Sequence, residues 1–137
     1  MLALLTGSVF LKHGRTGWPK KRLLWLDVTG EQLGLRWGEV ADGIKASADS
    51  PWLSLGAVQG ISAGRGTAVL KRGGKAAKEA LYWSILAAER TLDLESASAE
   101  EASFWTSCMA KLFREPGILQ ESLMFLFNSG RWAPPSQ

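Results

Sequence analysis

One cysteine, Cys108, and one histidine, His13, are all the thiol and imidazole chemistry in this sequence of 137 residues. A single cysteine closes no internal disulfide, and together the two make no metal-ligand set, so a reducing, intracellular compartment is the simpler reading. A Ser/His/Asp relay would have to use His13, which sits in a cationic stretch with no orienting acid near it in sequence. Phosphate-cradling loops are missing as well. Gly64-Arg65-Gly66 and Gly73-Gly74 fit neither the G-x-x-x-x-G-K-[ST] pattern nor dinucleotide-binding spacing. Long apolar runs are also absent: Met1 to Leu5 is too short to span a bilayer, has no basic lead, and has no glycine after Met1 for myristoylation. We read it as the lead-in to a strand. No cofactor is implied by any of these features.

What is present suits one folded domain. Hydrophobic content of 46% and charged content of 21% lie near globular averages, and the length allows one real core rather than two. The net charge of +3 says little, but its distribution says more. Ten of the sixteen basic residues fall in two acid-free windows, Lys12 to Arg22 and Arg65 to Lys78, while acids gather at Asp93, Glu95, Glu100 and Glu101. One positive end facing an anionic surface is the implied arrangement.

Strand signals fill the first two thirds. Ser8 to Lys12 and Arg22 to Val28 flank a loop, His13 to Pro19, that holds Gly14, Gly17 and Pro19, which reads as a hairpin. Leu33, Leu35 and Trp37 alternate with Gly34 and Arg36 as a half-buried strand. Gly38 to Ser50 reads as a loop, Pro51 to Leu55 as renewed extended chain, and Val58 and Ile61 as short pieces broken by Gly56, Gly60, Gly64 and Gly66. Thr67 to Leu70 is expected as a brief strand, followed by a solvated basic loop over Lys71 to Glu79. Ala80 to Ala87 and Arg90 to Glu95 form a closing hairpin that turns near Ala88 and Glu89.

The helix signal is sharper. Ser98 and Glu101 have capping-box spacing, and Trp105, Cys108, Met109, Leu112 and Phe113 fall on one apolar stripe before Pro116 and Gly117. One helix after about seven strands must pack on a sheet face or plug an open barrel end. Ile118 to Phe127 reads either as a short helix packed on the domain or as the start of a neighbouring one, and the tail Arg131 to Gln137 as loose. The expected division is 6–115 as the domain and 116–137 as an extension.

Three stretches in order resemble the pleckstrin-homology (PH) domain at the N-terminus of phosphoinositide-specific phospholipase C, delta and eta types. They are GSVFLKHGRTGWPKKRLLWL from Gly7, LGAVQGISAGRGT from Leu55, and RTLDLESASAEEASFWTSCMAKL from Arg90. The resemblance implies a mainly β fold, a seven-stranded curved sandwich or open barrel capped by one C-terminal helix. It also implies a non-catalytic module for phosphoinositides or other anionic phospholipids, since likeness to an enzyme's targeting domain is no argument for enzyme activity.

Several phosphates on one ring call for convergent cations and backbone amides on a rigid rim. By resemblance, Lys12 and Arg22 grip ring phosphates, with Lys20 beside them and Thr91 as a further phosphate contact. Positions 20 and 22 share one strand face, and Lys21 points away. Gly14 stands where the delta-type pattern has a second lysine, leaving Arg15 to compensate; Lys45 is the only cation in the following long loop. Trp18, Lys21, Lys71 and Arg72 are the expected membrane contacts. The implied location is peripheral, at the cytoplasmic face of a membrane, in a monomer with no nucleic-acid partner. A protein-interaction scaffold with weak or no lipid binding is the alternative, and a positioning domain within a larger enzyme a third.

Overall fold

A computed structural model describes residues 2–30, 32–44, 51–112 and 117–131. Lys45 and Phe113 therefore lie outside the described residues.

Strand β1 (Ser8–His13) pairs with β2 (Lys20–Thr29) in a hairpin whose register runs from Ser8 opposite Leu24 to Lys12 opposite Lys20. The other strands are β3 (Gln32–Gly38), β4 (Trp52–Ser54), β5 (Val58–Ala63), β6 (Tyr82–Ala87) and β7 (Thr91–Glu95). They form one unclosed, wholly antiparallel sheet in the order β4-β3-β2-β1-β7-β6-β5. Leu24, Leu26, Leu35 and Leu53 from one half of the sheet share a single buried cluster with Trp83, Ile85, Leu92 and Leu94 from the other. The sheet must therefore curl round one core, as its alternating apolar positions require. The pieces read as broken around Val58 and Ile61 are one strand whose register shifts between Val58 and Gly60, the kind of irregularity a strand glycine accommodates.

The described helices are α1 (Leu2–Thr6), α2 (Ala68–Gly73), α3 (Ala99–Leu112) and α4 (Gly117–Asn128). Two of them correct the sequence reading. The first apolar residues form α1 rather than a strand lead-in, and bury Leu4 and Leu5 in the core. Gly7 then turns the chain into β1 at φ +85°, where a Cβ would stand 2.7 Å from the Leu24 carbonyl oxygen. The second correction concerns Thr67 to Leu70. Thr67 is the N-cap of α2, its Oγ1 accepting from the Leu70 amide at 3.3 Å, and Leu70 is buried. A four-residue apolar run does not separate helix from strand, and here the cap decides. Lys71 and Arg72 occupy the last turn of that helix, where cations suit its dipole, rather than a loop.

Helix α3 closes one end of the curled sheet. Ser98 Oγ accepts from the Glu101 amide at 3.1 Å. The return half of the expected box is not made: Glu101 Oε1 is buried with no hydrogen-bond partner among the described residues. Burial pushes that carboxyl above its ordinary range. Trp105 packs edge-on to Phe10 at 5.3 Å between centroids and donates its indole N–H to Ser8 Oγ at 3.1 Å. Helix α4 sends Leu126 into the same core, and Arg131 just beyond it donates to the Leu5 carbonyl at 2.9 Å.

Candidate functional site

The side chains that build the core and those that line the open end come from the same strand rows. On β2, Leu24, Leu26 and Val28 point into the core, so Arg22 and Lys20 continue that row past the apolar cluster to the open end. On β1 the inward Phe10 is followed by Lys12. Lys12 and Lys20 stand directly opposite each other across the hairpin, an unfavourable like-charge pairing that the fold retains. With Gly14, Thr16, Trp18 and Arg22 they line a cup of about 200 Å³. Lys21 is on the other face, in a groove with Val9, Leu11, Lys78 and Leu81, as strand alternation demands. Trp18 is 89% exposed on the loop that follows β1, next to Gly17 at φ +81°.

A second cleft of about 360 Å³ opens on the other side of Lys12, where Arg15, Trp37, Arg90, Thr91 and Asp93 contribute walls. The Arg90 guanidinium lies over the Trp37 ring at 4.9 Å, a stacking that holds a cation without a counter-ion. Buried Asp93 is engaged on both oxygens: Oδ1 accepts from Ser84 at 2.8 Å and from Thr67 at 2.5 Å, and Oδ2 accepts from Thr91 at 2.7 Å. Thr91 is thus on the cleft rim with its hydroxyl proton already committed. Arg72 Nη2 donates to the Arg15 carbonyl at 3.5 Å, which ties α2 to the hairpin loop and leaves Lys71 and Arg72 exposed on its flank.

Among the described residues, no carboxylate oxygen lies within ion-pair distance of Lys12, Arg15, Lys20 or Arg90. Elsewhere cations are paired: Arg36 with Asp27 at 3.2 Å, Arg65 with Glu79 at 2.7 Å. Arg22 has one loose contact, 3.8 Å to Glu39, and donates to the Lys21 carbonyl at 2.8 Å. Burial pushes the Lys12 ammonium below its ordinary pKa, Arg90, Arg22 and Lys20 push the same way, and Asp93 offsets part of it. An anion entering beside Lys12 would relieve that repulsion.

No protein-family model and no curated protein sequence matches this chain. Solved structures do match. The crystal structure of L. pealei PLC21 superposes over 77% of the chain at a TM-score of 0.56 and 17% identity. The structure of the C-terminal PH domain of human pleckstrin superposes over 78% of this chain and 85% of that one, at a TM-score of 0.54 and 18% identity. The chain has the PH fold. Likeness at this identity establishes architecture and leaves function to the site; the chain spans 15% of the length of the L. pealei PLC21 structure it matches.

Within the PH fold, Lys12, Lys20 and Arg22 meet in one cup, whereas Arg15 and Thr91 belong to the neighbouring cleft. Sequence reading missed Arg90 and Trp37, which 53 residues separate and the curl of the sheet joins; the only available signal was a cation at the turn before β7. It also missed the acid beside His13. Glu95 lies 3.0 Å from His13 Nε2 across the β1–β7 pairing and 3.8 Å from Lys78. That ring is buried edge-on against Tyr82, and its bond to Glu95 ties β1 to β7. No described helix is long and apolar enough to cross a membrane, and the described residues hold no cluster of three metal-ligating side chains.

Proposed function

We propose that this PH-fold chain is a non-catalytic membrane-recruitment module that binds phosphoinositide headgroups, or other anionic phospholipid, through its first hairpin. One observation carries the reading: Lys12, Lys20 and Arg22 share a cup to which no carboxylate contributes a wall. Like charges held close together repel in the free protein, and phosphate oxygens accept charge-assisted hydrogen bonds from each of them. Exposed Trp18 at the mouth is an amphipathic ring suited to the headgroup layer. Lys21, Lys71 and Arg72 supply long-range attraction, each adding about 1 kcal/mol when near a charged leaflet. Binding would place the chain peripherally at the inner face of a membrane.

Replacing Lys12→Ala together with Arg22→Ala is expected to abolish pelleting with phosphoinositide-containing vesicles while moving the melting temperature by about a degree. Undiminished pelleting by the double variant would defeat the proposal. A second reading, a protein-interaction scaffold, is favoured by one observation: Met124 and Phe127 on α4 are each 51% exposed. Light scattering of the full chain separates the two. A monomer that pellets with vesicles supports the first reading, and a self-associating chain that ignores them supports the second.

A further inference from the structure

We infer that Thr16 is a phosphorylation site, and that the phosphoryl group it receives seats among Lys12, Lys20 and Arg22 and fills the hairpin cup from within. The loss of membrane binding that follows rests on the proposed lipid-headgroup reading; the seating of the phosphate does not.

An accessible hydroxyl stands where a phosphate would be held. Thr16 is exposed and lines the same cup as Lys12, Lys20 and Arg22. Thr6, Thr67, Thr91 and Thr106 each donate their hydroxyl proton to an acceptor of the fold, on Ala3, Asp93, Asp93 and Ala102 in turn. The Thr16 hydroxyl has no hydrogen bond among the described residues. A protein kinase must draw its target segment into its own cleft, and the loop suits that. Residues 14–18 are all exposed, and Gly14 and Gly17 flank Arg15 and Thr16, with Gly17 at φ +81°. Lys12 to Arg22 carries five cations and no acid, with Arg15 directly before the threonine, so the enzyme implied is one directed to basic sequences. In the transfer, Thr16 Oγ1 bonds to the γ-phosphorus of a nucleoside triphosphate and the bond from that phosphorus to the β–γ bridging oxygen breaks. The hydroxyl proton passes to the kinase's carboxylate base, and the nucleoside diphosphate leaves. The ester carries about −1.5 to −2 charges at neutral pH and three acceptor oxygens. Lys12 and Lys20 face each other across the hairpin, and among the described residues neither has a carboxylate within ion-pair distance. The new anion therefore relieves a repulsion that the unmodified fold retains. Arg22, held by no carboxylate closer than Glu39 at 3.8 Å, adds its planar fork. A headgroup phosphate and the Thr16 phosphate would compete for the same donors.

The test compares three forms of the full chain: unmodified, with phosphothreonine incorporated at position 16, and with phosphoserine incorporated at Ser103, an exposed position on α3 that carries the same charge away from the cup. With no lipid present, the phosphorus NMR resonance of the position-16 ester is expected to titrate about one pH unit lower in the folded chain than in urea, because nearby cations favour its dianion. Lys12→Met combined with Lys20→Met should remove most of that difference. Equal titration in the two states overturns the seating. Phosphatidylcholine vesicles containing a bisphosphorylated inositol lipid then read the consequence. The position-16 phosphoprotein is expected to bind at least about tenfold more weakly than the unmodified chain, and the Ser103 phosphoprotein to stay within about threefold of it. Equal losses from both phosphoproteins reduce the effect to bulk charge and overturn the inference. An unmodified chain that binds no anionic vesicle overturns the lipid reading, and the phosphorus titration still decides the seating. Finally, a panel of arginine-directed kinases with nucleoside triphosphate should place phosphate on Thr16, mapped by mass spectrometry and absent from Thr16→Val. No phosphate at Thr16 overturns its assignment as a modification site.

Discussion

Both ends of the curled sheet are lined by inward-facing side chains from the same strands, but α3 plugs one end, whereas at the other α2 stands beside an open cleft. At the α3 end, Trp105 and Met109 fill the opening, and the two buried indoles find hydroxyls: Trp105 donates to Ser8 and Trp83 donates to Ser96, each at 3.1 Å. At the other end the rows finish in Lys12, Lys20 and Arg22, with Arg90 across the gap and α2 at the side, where Val69 lines the second cleft. At the closed end each polar atom that Trp105 and Trp83 bury has a partner, whereas Glu101 Oε1 on α3 is an exception. The open end keeps like charges together, which costs stability and fits a partner that arrives from outside.

The contrast can be broken from the closed side first. Trp105→Ala removes the plug and two aromatic contacts, so a loss of about 3–5 kcal/mol is expected in chemical denaturation. Asp93→Ala should come next. It leaves the fully buried Ser84 hydroxyl and that of Thr67 without their acceptor, at a cost of roughly 1–3 kcal/mol, and it should loosen the α2 cap that Thr67 shares.

At the open end the sign reverses. The Lys12 pKa is lowered in the folded chain, so the unfolded chain binds more protons in the window just below 10.5. Stability held back at neutral pH is therefore recovered as pH rises through that window. Lys12→Met should be more stable than wild type at pH 7, by less than about 1 kcal/mol because Lys12 stays partly solvated, and the gap should close as the solution becomes alkaline. Melting curves across pH check both the sign and the closure. Smallest of all, Trp18→Ala should leave stability within about 0.5 kcal/mol while weakening vesicle binding. A large loss of stability there would make Trp18 a packing residue and not a membrane contact.

Much of this was legible in the chain itself, and the exceptions have physical causes. The strands from β1 to β3 and the β6–β7 hairpin follow from period-two apolar patterns, and α3 from a serine cap with an apolar stripe read from Trp105 to Phe113. The facing of Lys20 and Arg22, with Lys21 opposed, follows from alternation alone. Helices α1 and α2 did not show, because five or six residues are too few for a helical period and their identity depends on Leu4, Leu5 and Leu70 finding the core. The second cleft was invisible for another reason. Arg90 on Trp37, and Glu95 on His13, are contacts between residues 53 and 82 positions apart, which only the closing of the sheet brings together.

The central claim is that the cations at the open end converge on one multiply phosphorylated ring. Titrating the isotope-labelled chain with soluble inositol trisphosphate and following backbone amide and indole resonances by NMR tests it most directly. Saturable shifts confined to Lys12 through Arg22, Trp37 and Arg90 to Thr91 are expected, with α3 silent. Shifts spread along α3 and α4, or none at saturating ligand, would contradict it.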